Sequence, residues 1–274
     1  MKIIVSHDVD HITVLEHKKD LIIPKFAIRS FIELSLGYIS ISEIKCRFKD
    51  FWDNKWNNIE ELISFDKKSN IPATFFIGVS NGRGLSYSIK DAKFWINKIR
   101  EEGFKIGVHG IAYDNFNEIK SEFETFKKIS GLEKFGIRMH YLMKKNETFE
   151  LLSKAGYIYD SSMYGIKNPI KIENLWEFPL CIMDGYIIYK NSHYQNQSIN
   201  QVKKSTKIIL EEAYNKGINY FTILFHDRYF SDSFKTWKEW YIWLIEYLKK
   251  NRFEFIDFEN AMDELNMFYK DEKK

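Results

Sequence analysis

The sequence predicts a single α/β domain of parallel strands with helices outside, and three observations predict it. Short apolar runs alternate with amphipathic stretches about seven times along the chain, the pattern of parallel strands joined by crossover helices. The reactive residues Asp8, Asp10, His109, Arg138, Asp160 and His226 fall at or just past the ends of expected strands. In a parallel α/β barrel those ends meet on one face, where active sites are built. No Pro/Gly/Ser-rich linker, repeat or low-complexity segment interrupts the 274 residues. Residues 1–274 therefore read as one domain of TIM-barrel size, and barrel-like closure fits the strand count better than an open sheet.

The elements follow in order. Lys2 to Val5 is an apolar run that reads as a buried strand ending in Ser6-His7-Asp8-Val9-Asp10. Residues 12–55 carry apolar residues at irregular helical spacing, with Pro24 and Gly37 as breaks. They read as a helical insertion whose basic and aromatic residues line a cleft or touch a membrane surface, with a packed amphipathic excursion as the favoured reading. Trp56 to Lys68 has helical spacing at Ile59, Leu62, Ile63 and Phe65, and Asn70-Ile71-Pro72 stops it. Ala73 to Gly78 is the second strand, and Ser80 to Ser88 is a loop. Ile89 to Glu102 is a helix closed by Gly103. Lys105 to Gly110 is a strand with His109 at its end. Asn117 to Ile129 is a helix, Phe135 to Arg138 is strand-like, and Glu147 to Ala155 is a helix closed by Gly156. Tyr157 to Asp160 is a strand ending in an acid. Leu175 to Leu180 and Gly185 to Tyr189 read as extended. Ile199 to Lys216 is a helix, Tyr220 to Phe225 a strand ending in His226-Asp227, and Trp237 to Asn251 a long helix. Phe253 to Ile256 closes the core, and residues 265–274 form a charged tail.

Composition narrows the function classes. Hydrophobic residues make up 45% and aromatic residues 17%, ample for a core, and the charged 29% is mixed in sign. A net charge of +3 is too small a surplus to argue for a nucleic-acid partner. Cys46 and Cys181 form no CxxC pair and no disulfide framework. The most apolar stretch, residues 26–41, is broken by Arg29 and Glu33, and no run reaches the roughly 18 apolar residues that span a bilayer. No stable membrane insertion is expected. The start carries no basic region, apolar stretch and cleavage site, so a cytoplasmic location is the expectation. Composition leaves the oligomeric state open.

Two acids two positions apart at a strand end point to the same side if the chain stays extended. Like charges in one site repel, so one is protonated or a cation offsets both. Oxygen ligands with histidines suit zinc or a similar divalent ion. A loop with two solvated acids is the competing account of these residues alone. Acids, histidines and an arginine at five strand ends favour the metal.

These residues carry a resemblance. Ser6-His7-Asp8-Val9-Asp10, Ile71-Pro72-Ala73-Thr74-Phe75-Phe76, Gly107-Val108-His109-Gly110, Gly136-Ile137-Arg138-Met139-His140-Tyr141, Gly156-Tyr157-Ile158-Tyr159-Asp160-Ser161-Ser162 and Leu224-Phe225-His226 occur in this order. The set resembles the motifs of the polysaccharide deacetylase family, carbohydrate esterase family four. The resemblance implies a distorted (β/α)7 barrel and a divalent metal, zinc foremost, with an N-acetylated sugar or glycan as substrate. It implies Asp8 as general base, Asp10 and His109 as metal ligands, and Arg138 as the residue that orients or tunes the base. It implies His226 as general acid and Asp160 in the network that sets proton affinities. The departure is Tyr113, which stands where the family commonly has a second histidine. The third ligand is left to Asp114, with His140 or water as the alternatives. Aromatic residues near the expected loops, Tyr141 and Trp176 among them, are candidates to stack on sugar rings.

The expected function is metal-dependent removal of an N-acetyl group from a sugar. Two alternatives stand beside it: a catalytically degenerate protein of this fold that binds carbohydrate, and a hydrolase of another non-peptide C–N bond.

Overall fold

The computed structural model describes residues 1–190 and 192–271, and its architecture is one curled, mostly parallel sheet with helices packed around it. Strand β1 (Lys2–Val9) leads into helices α1 (Ile22–Ser35), α2 (Ile41–Trp52) and α3 (Ile59–Ser69). The alternation then runs β2 (Thr74–Ile77), α4 (Ile89–Glu101), β3 (Lys105–Gly110), α5 (Phe116–Ser130), β4 (Ile137–Met139), α6 (Thr148–Ala155) and β5 (Tyr159–Asp160). A hairpin of β6 (Ile170–Ile172) and β7 (Leu175–Glu177) follows, then β8 (Leu180–Met183), α7 (Asp184–Tyr189) and α8 (Ile199–Asn215). The chain closes with β9 (Tyr220–Leu224), α9 (Lys235–Lys250), β10 (Glu254–Phe255) and α10 (Phe258–Asp271).

The strand order is β6-β7-β5-β4-β3-β2-β1-β9-β8, with β10 against β1. One edge of β1 is shared: β10 takes Lys2 and Ile3, and β2 takes Ser6 to Val9, while β9 covers the other edge from Lys2 to Ser6. The sheet curls without a continuous closing ladder. Among the described residues the contact between its ends is one bridge, Tyr164 to Leu180.

Local chemistry explains the boundaries. Ser40 and Ser198 each form a reciprocal capping box, with Glu43 and Gln201. Ser88 and Asn115 accept from the first-turn amides of α4 and α5. Gly156 ends α6 at φ 111°, a conformation that side chains rarely take. Gly136 is needed for space: a Cβ there would lie 2.1 Å from the Tyr159 ring. Trp237, Trp240, Tyr241, Leu244 and Ile245 of α9 are buried against the sheet. Each fully buried apolar side chain of this size contributes about 1.5–3 kcal/mol.

Four points differ from the expectations. Residues 185–189 are helical, not extended. Asp184 accepts from Gly185 N and His226 N, and Ile187 and Ile188 point into the core. Pro24 does not break the insertion but sits in the first turn of α1, where its missing N–H costs nothing. The strand Ile170–Ile172 was not expected; it pairs antiparallel to β7 through a tight turn at Glu173, φ 55°. Residues 265–271 of the expected tail continue α10, and 272–274 lie outside the described residues.

The insertion is docked through buried charge. Arg47 is 2% exposed and donates to Glu33 Oε2 (2.7 Å), Ser30 Oγ (2.9 Å) and the Ser233 carbonyl (3.0 Å). Glu33 Oε1 also accepts from Gln195 N at 2.9 Å. Its outer face leaves Ile28, Phe31, Ile41, Phe48 and Trp52 exposed. Cys46 and Cys181 are free thiols. Among the described residues no helix is long and apolar enough to cross a membrane.

Candidate metal centre and active site

The C-terminal ends of β1, β3, β4 and β9 converge on one cleft of about 390 Å³. Asp8, Asp10, His109, His140, Tyr141, Asp184 and His226 line it. Strand alternation sends Ser6 and Asp8 to this side and His7 to the other. His7 bonds Asp66 Oδ2 (2.8 Å) and the Phe225 carbonyl (2.9 Å) in the core instead.

Asp10, His109 and His140 bring three donor atoms together. Asp10 Oδ1 is 3.0 Å from His109 Nε2 and 3.3 Å from His140 Nδ1, and those two nitrogens are 3.0 Å apart. The outer nitrogens fix the protons. His109 Nδ1 is 3.1 Å from the Arg138 carbonyl and His140 Nε2 is 3.2 Å from the Arg83 carbonyl. A carbonyl only accepts, so each outer nitrogen carries hydrogen, and in the neutral rings Nε2 of His109 and Nδ1 of His140 present lone pairs. Two lone pairs and a carboxylate oxygen aimed at one another are reconciled by a positive charge, either a proton on one ring or an ion between them. Two imidazoles and one carboxylate form a donor set that suits a zinc-like ion, so these residues fit a metal. The backbone that follows His140 is unusual: Tyr141 and Leu142 hold φ 55° and 53°. Burial disfavours charge on Asp10, but the neighbouring His140, His109 and His226 hold its carboxyl well below the usual range. Burial likewise opposes protonation of His140, and the Asp10 carboxylate outweighs it, raising that imidazole.

Asp8 and Arg138 form a buried pair at 3.0 Å, Asp8 Oδ1 to Nη1. Four of the five Arg138 donors are engaged: Nη1 also donates to Ser6 Oγ (2.7 Å), Nε to the Ser161 carbonyl (2.9 Å) and Nη2 to Ser161 Oγ (2.9 Å). Its face covers the Phe76 ring at 4.5 Å. Asp8 Oδ2 is 3.9 Å from His109 Nε2, so the carboxylate lies beside the donor cluster with one oxygen outside the arginine pair.

His226 closes the opposite side. Its Nδ1 is 2.9 Å from Asp184 Oδ1, and Nε2 is 3.7 Å from Asp10 Oδ2. Burial alone would lower its proton affinity, but the Asp184 carboxylate, with Asp10 and Asp8 behind it, raises the imidazole well above its usual value. Nδ1–H therefore points to Asp184 and Nε2 points into the cleft. Sequence reasoning missed Asp184. The signal was present, an acid directly after the apolar run Leu180 to Met183, but the strand boundary was set too early.

Other expected residues lie elsewhere. Asp114 is on the exposed rim, paired with Lys145 at 2.8 Å, and is not part of the three-atom cluster. Tyr113 packs against the core with Arg83 and Lys145 over its ring. Asp160 bonds Ser162 Oγ (2.6 Å) and Ser162 N (2.9 Å), and Ser162 Oγ in turn accepts from Met139 N (2.8 Å). It braces β4 rather than touching His226, and its neighbour Glu177 is raised by burial and by the Asp160 charge. Trp176 does not line the cleft: it is 3% exposed among Tyr159, Phe178 and Phe258, with its indole N–H on Asn266. Tyr141 is 67% exposed at the cleft rim.

The fold is that of the polysaccharide deacetylases, the (β/α)7 barrel of carbohydrate esterase family four. A structure assigned as a polysaccharide deacetylase from Mycobacterium smegmatis is similar with a TM-score of 0.65 at 14% identity, covering 97% of this chain and 90% of that one. One from Pseudomonas aeruginosa PAO1 gives 0.62 at 12% identity, covering 96% and 89%. An allantoinase gives 0.57 at 14% identity, covering 76% and 71%. No family model matches the sequence, and no curated protein matches it.

Proposed function

We propose that this chain is a metal-dependent hydrolase that removes the N-acetyl group from an N-acetylated sugar or glycan. The observation that carries the reading is the convergence of lone pairs from Asp10, His109 and His140 between an arginine-bound Asp8 and an aspartate-bound His226. Asp10, His109 and His140 are the ligand set we propose, with His140 in the role that Asp114 was expected to take. Asp10, His109 and His140 would hold the divalent ion, which would supply Lewis-acid chemistry for an amide carbonyl and a water molecule. Asp8 takes the proton of the attacking water, through the oxygen that Arg138 leaves outside its pair. Arg138 holds that carboxylate in place. His226 gives its Nε2 proton to the departing amine, and Asp184 holds the ring in the tautomer and charge state that can do so. The exposed Tyr141 ring at the rim is placed to stack on a sugar.

The fold similarity to polysaccharide deacetylases supports the substrate class; the similarity to an allantoinase keeps another non-peptide C–N bond as the alternative. Both are tested together. The zinc-loaded protein is offered chitooligosaccharides, nucleotide-linked N-acetyl sugars and a panel of cyclic and linear amides, and released acetate and amine are measured. Acetate release that a chelator stops and zinc restores is the expected result. Turnover of amides alone overturns the sugar, and no turnover on any of them overturns the hydrolase.

A further inference from the structure

A second set of donor atoms lies one residue beyond Asp10. His11 Nδ1 is 2.8 Å from His17 Nε2, and His17 Nε2 is 3.2 Å from Glu16 Oε1. Donor atoms of these three residues all lie within 4.8 Å of one another. Here too the outer nitrogen fixes the proton: His17 Nδ1 is 2.7 Å from Asp20 Oδ2. A carboxylate accepts, so Nδ1 carries the hydrogen and Nε2 of a neutral ring turns its lone pair towards Glu16 and His11. The order carboxylate, imidazole, open nitrogen is the one that orients histidines on metals.

The three side chains are held before any ion arrives. Glu16 Oε1 accepts from Ile12 N (3.0 Å), and Oε2 accepts from Thr13 N (2.9 Å) and Thr13 Oγ1 (3.2 Å). The rings of His11 and His17 rest on Trp56, at centroid distances of 5.6 and 5.2 Å. His17 is 1% exposed, whereas His11 lines the catalytic cleft. The cluster is thus closed on the side of the insertion and open on the side of the cleft.

We propose that His11, Glu16 and His17 form a second divalent-cation site of the zinc class, separate from the Asp10–His109–His140 centre. Two imidazoles and a carboxylate supply three ligands, and the open side leaves a position for water or an oxygen of the substrate. An ion there ties the first turn of the insertion to the end of β1. The inference does not rest on the proposed deacetylase activity.

The test counts ions. The full-length chain is stripped with a chelator and titrated with zinc by equilibrium dialysis, with bound metal read by mass spectrometry and cobalt(II) spectra as a second probe. Wild type is expected to hold two ions per chain. His17→Ala and Glu16→Gln each weaken one of them at least about tenfold, and Asp10→Asn weakens only the other. Glu16→Gln keeps the side-chain shape and an oxygen acceptor for one of the two amides, Ile12 N or Thr13 N, which guards against a variant that fails to fold. If the catalytic centre proves not to bind metal, wild type holds one ion that Asp10→Asn keeps and His17→Ala loses, which still supports this site. Equal stoichiometry and affinity in wild type, His17→Ala and Glu16→Gln overturns it. So does wild type binding no zinc, the result expected if a shared proton is the occupant.

Discussion

His109 Nε2 and His140 Nδ1 lie 3.0 Å apart, each with its opposite nitrogen committed to a backbone carbonyl. Two neutral imidazoles cannot hydrogen-bond to each other in that tautomeric state. The pair is therefore built around a positive charge, and the identity of that charge is the first thing to measure.

His140→Ala is expected to weaken zinc binding at this centre by roughly a hundredfold or more, as loss of one of three protein ligands should. Asp114→Asn is expected to leave it unchanged, because Asp114 is engaged by Lys145 on the rim. Zinc titration of the two variants side by side decides; the reverse ranking would restore Asp114 as the third ligand.

Asp8→Asn is expected to lower kcat by about 10²–10⁴, the range for loss of a general base, with metal content unaltered. The amide still accepts from Arg138, so the fold should tolerate it. Loss of the ion together with turnover would mean that Asp8 is a ligand.

Asp184→Asn removes the carboxylate that raises His226. The imidazole should then lose its proton at lower pH, and the alkaline limb of the pH–rate profile should move down with it. Titrating the His226 ring by NMR in both proteins separates this from a general loss of activity. An unmoved resonance would assign the raised proton affinity to Asp10 and Asp8.

Glu122 tests pH and stability away from the centre. Burial pushes its carboxyl from 4.5 up to about 7, against hydrogen bonds from Ile111 N and Ala112 N. A raised carboxyl stabilises the fold fully below its unfolded value and loses that contribution as pH rises through the folded value. Up to about 3 kcal/mol should fade between roughly pH 4.5 and 7. Denaturant unfolding across that window should show the slope in wild type and a flatter profile in Glu122→Gln.

Much of the scaffold was legible in the sequence because burial and period coincide there. Lys105 to Gly110 holds the apolar-glycine core Ile106-Gly107-Val108 between a helix stop and a loop, and it forms the strand over those residues. The strand ends therefore placed Asp8, His109, Arg138 and His226 on one face before any coordinates. What was not legible depended on backbone conformation beyond the strands. His140 was legible only as an alternative to Asp114: it lies one residue past the end of β4, where strand alternation no longer says which way a side chain points, and the left-handed Tyr141 and Leu142 that follow it are announced by no periodicity. Asp184 was missed because the strand before it was ended at Leu180, and the short helix it opens has no repeat long enough to correct that boundary. Trp176 illustrates the opposite error: an aromatic at a strand reads as a sugar platform only until its burial is known.

Strand β1 carries Asp8 and leads into Asp10, yet one of its edges belongs to β9, which ends at Leu224. At about 5–20 residues per second of synthesis, roughly 10–40 seconds separate the birth of these acids from that of His226. Until then the central strand leaves the ribosome with one side unpaired and its two carboxylates without their acid partner. Assembly of the candidate site is thus a late event in the synthesis of the chain.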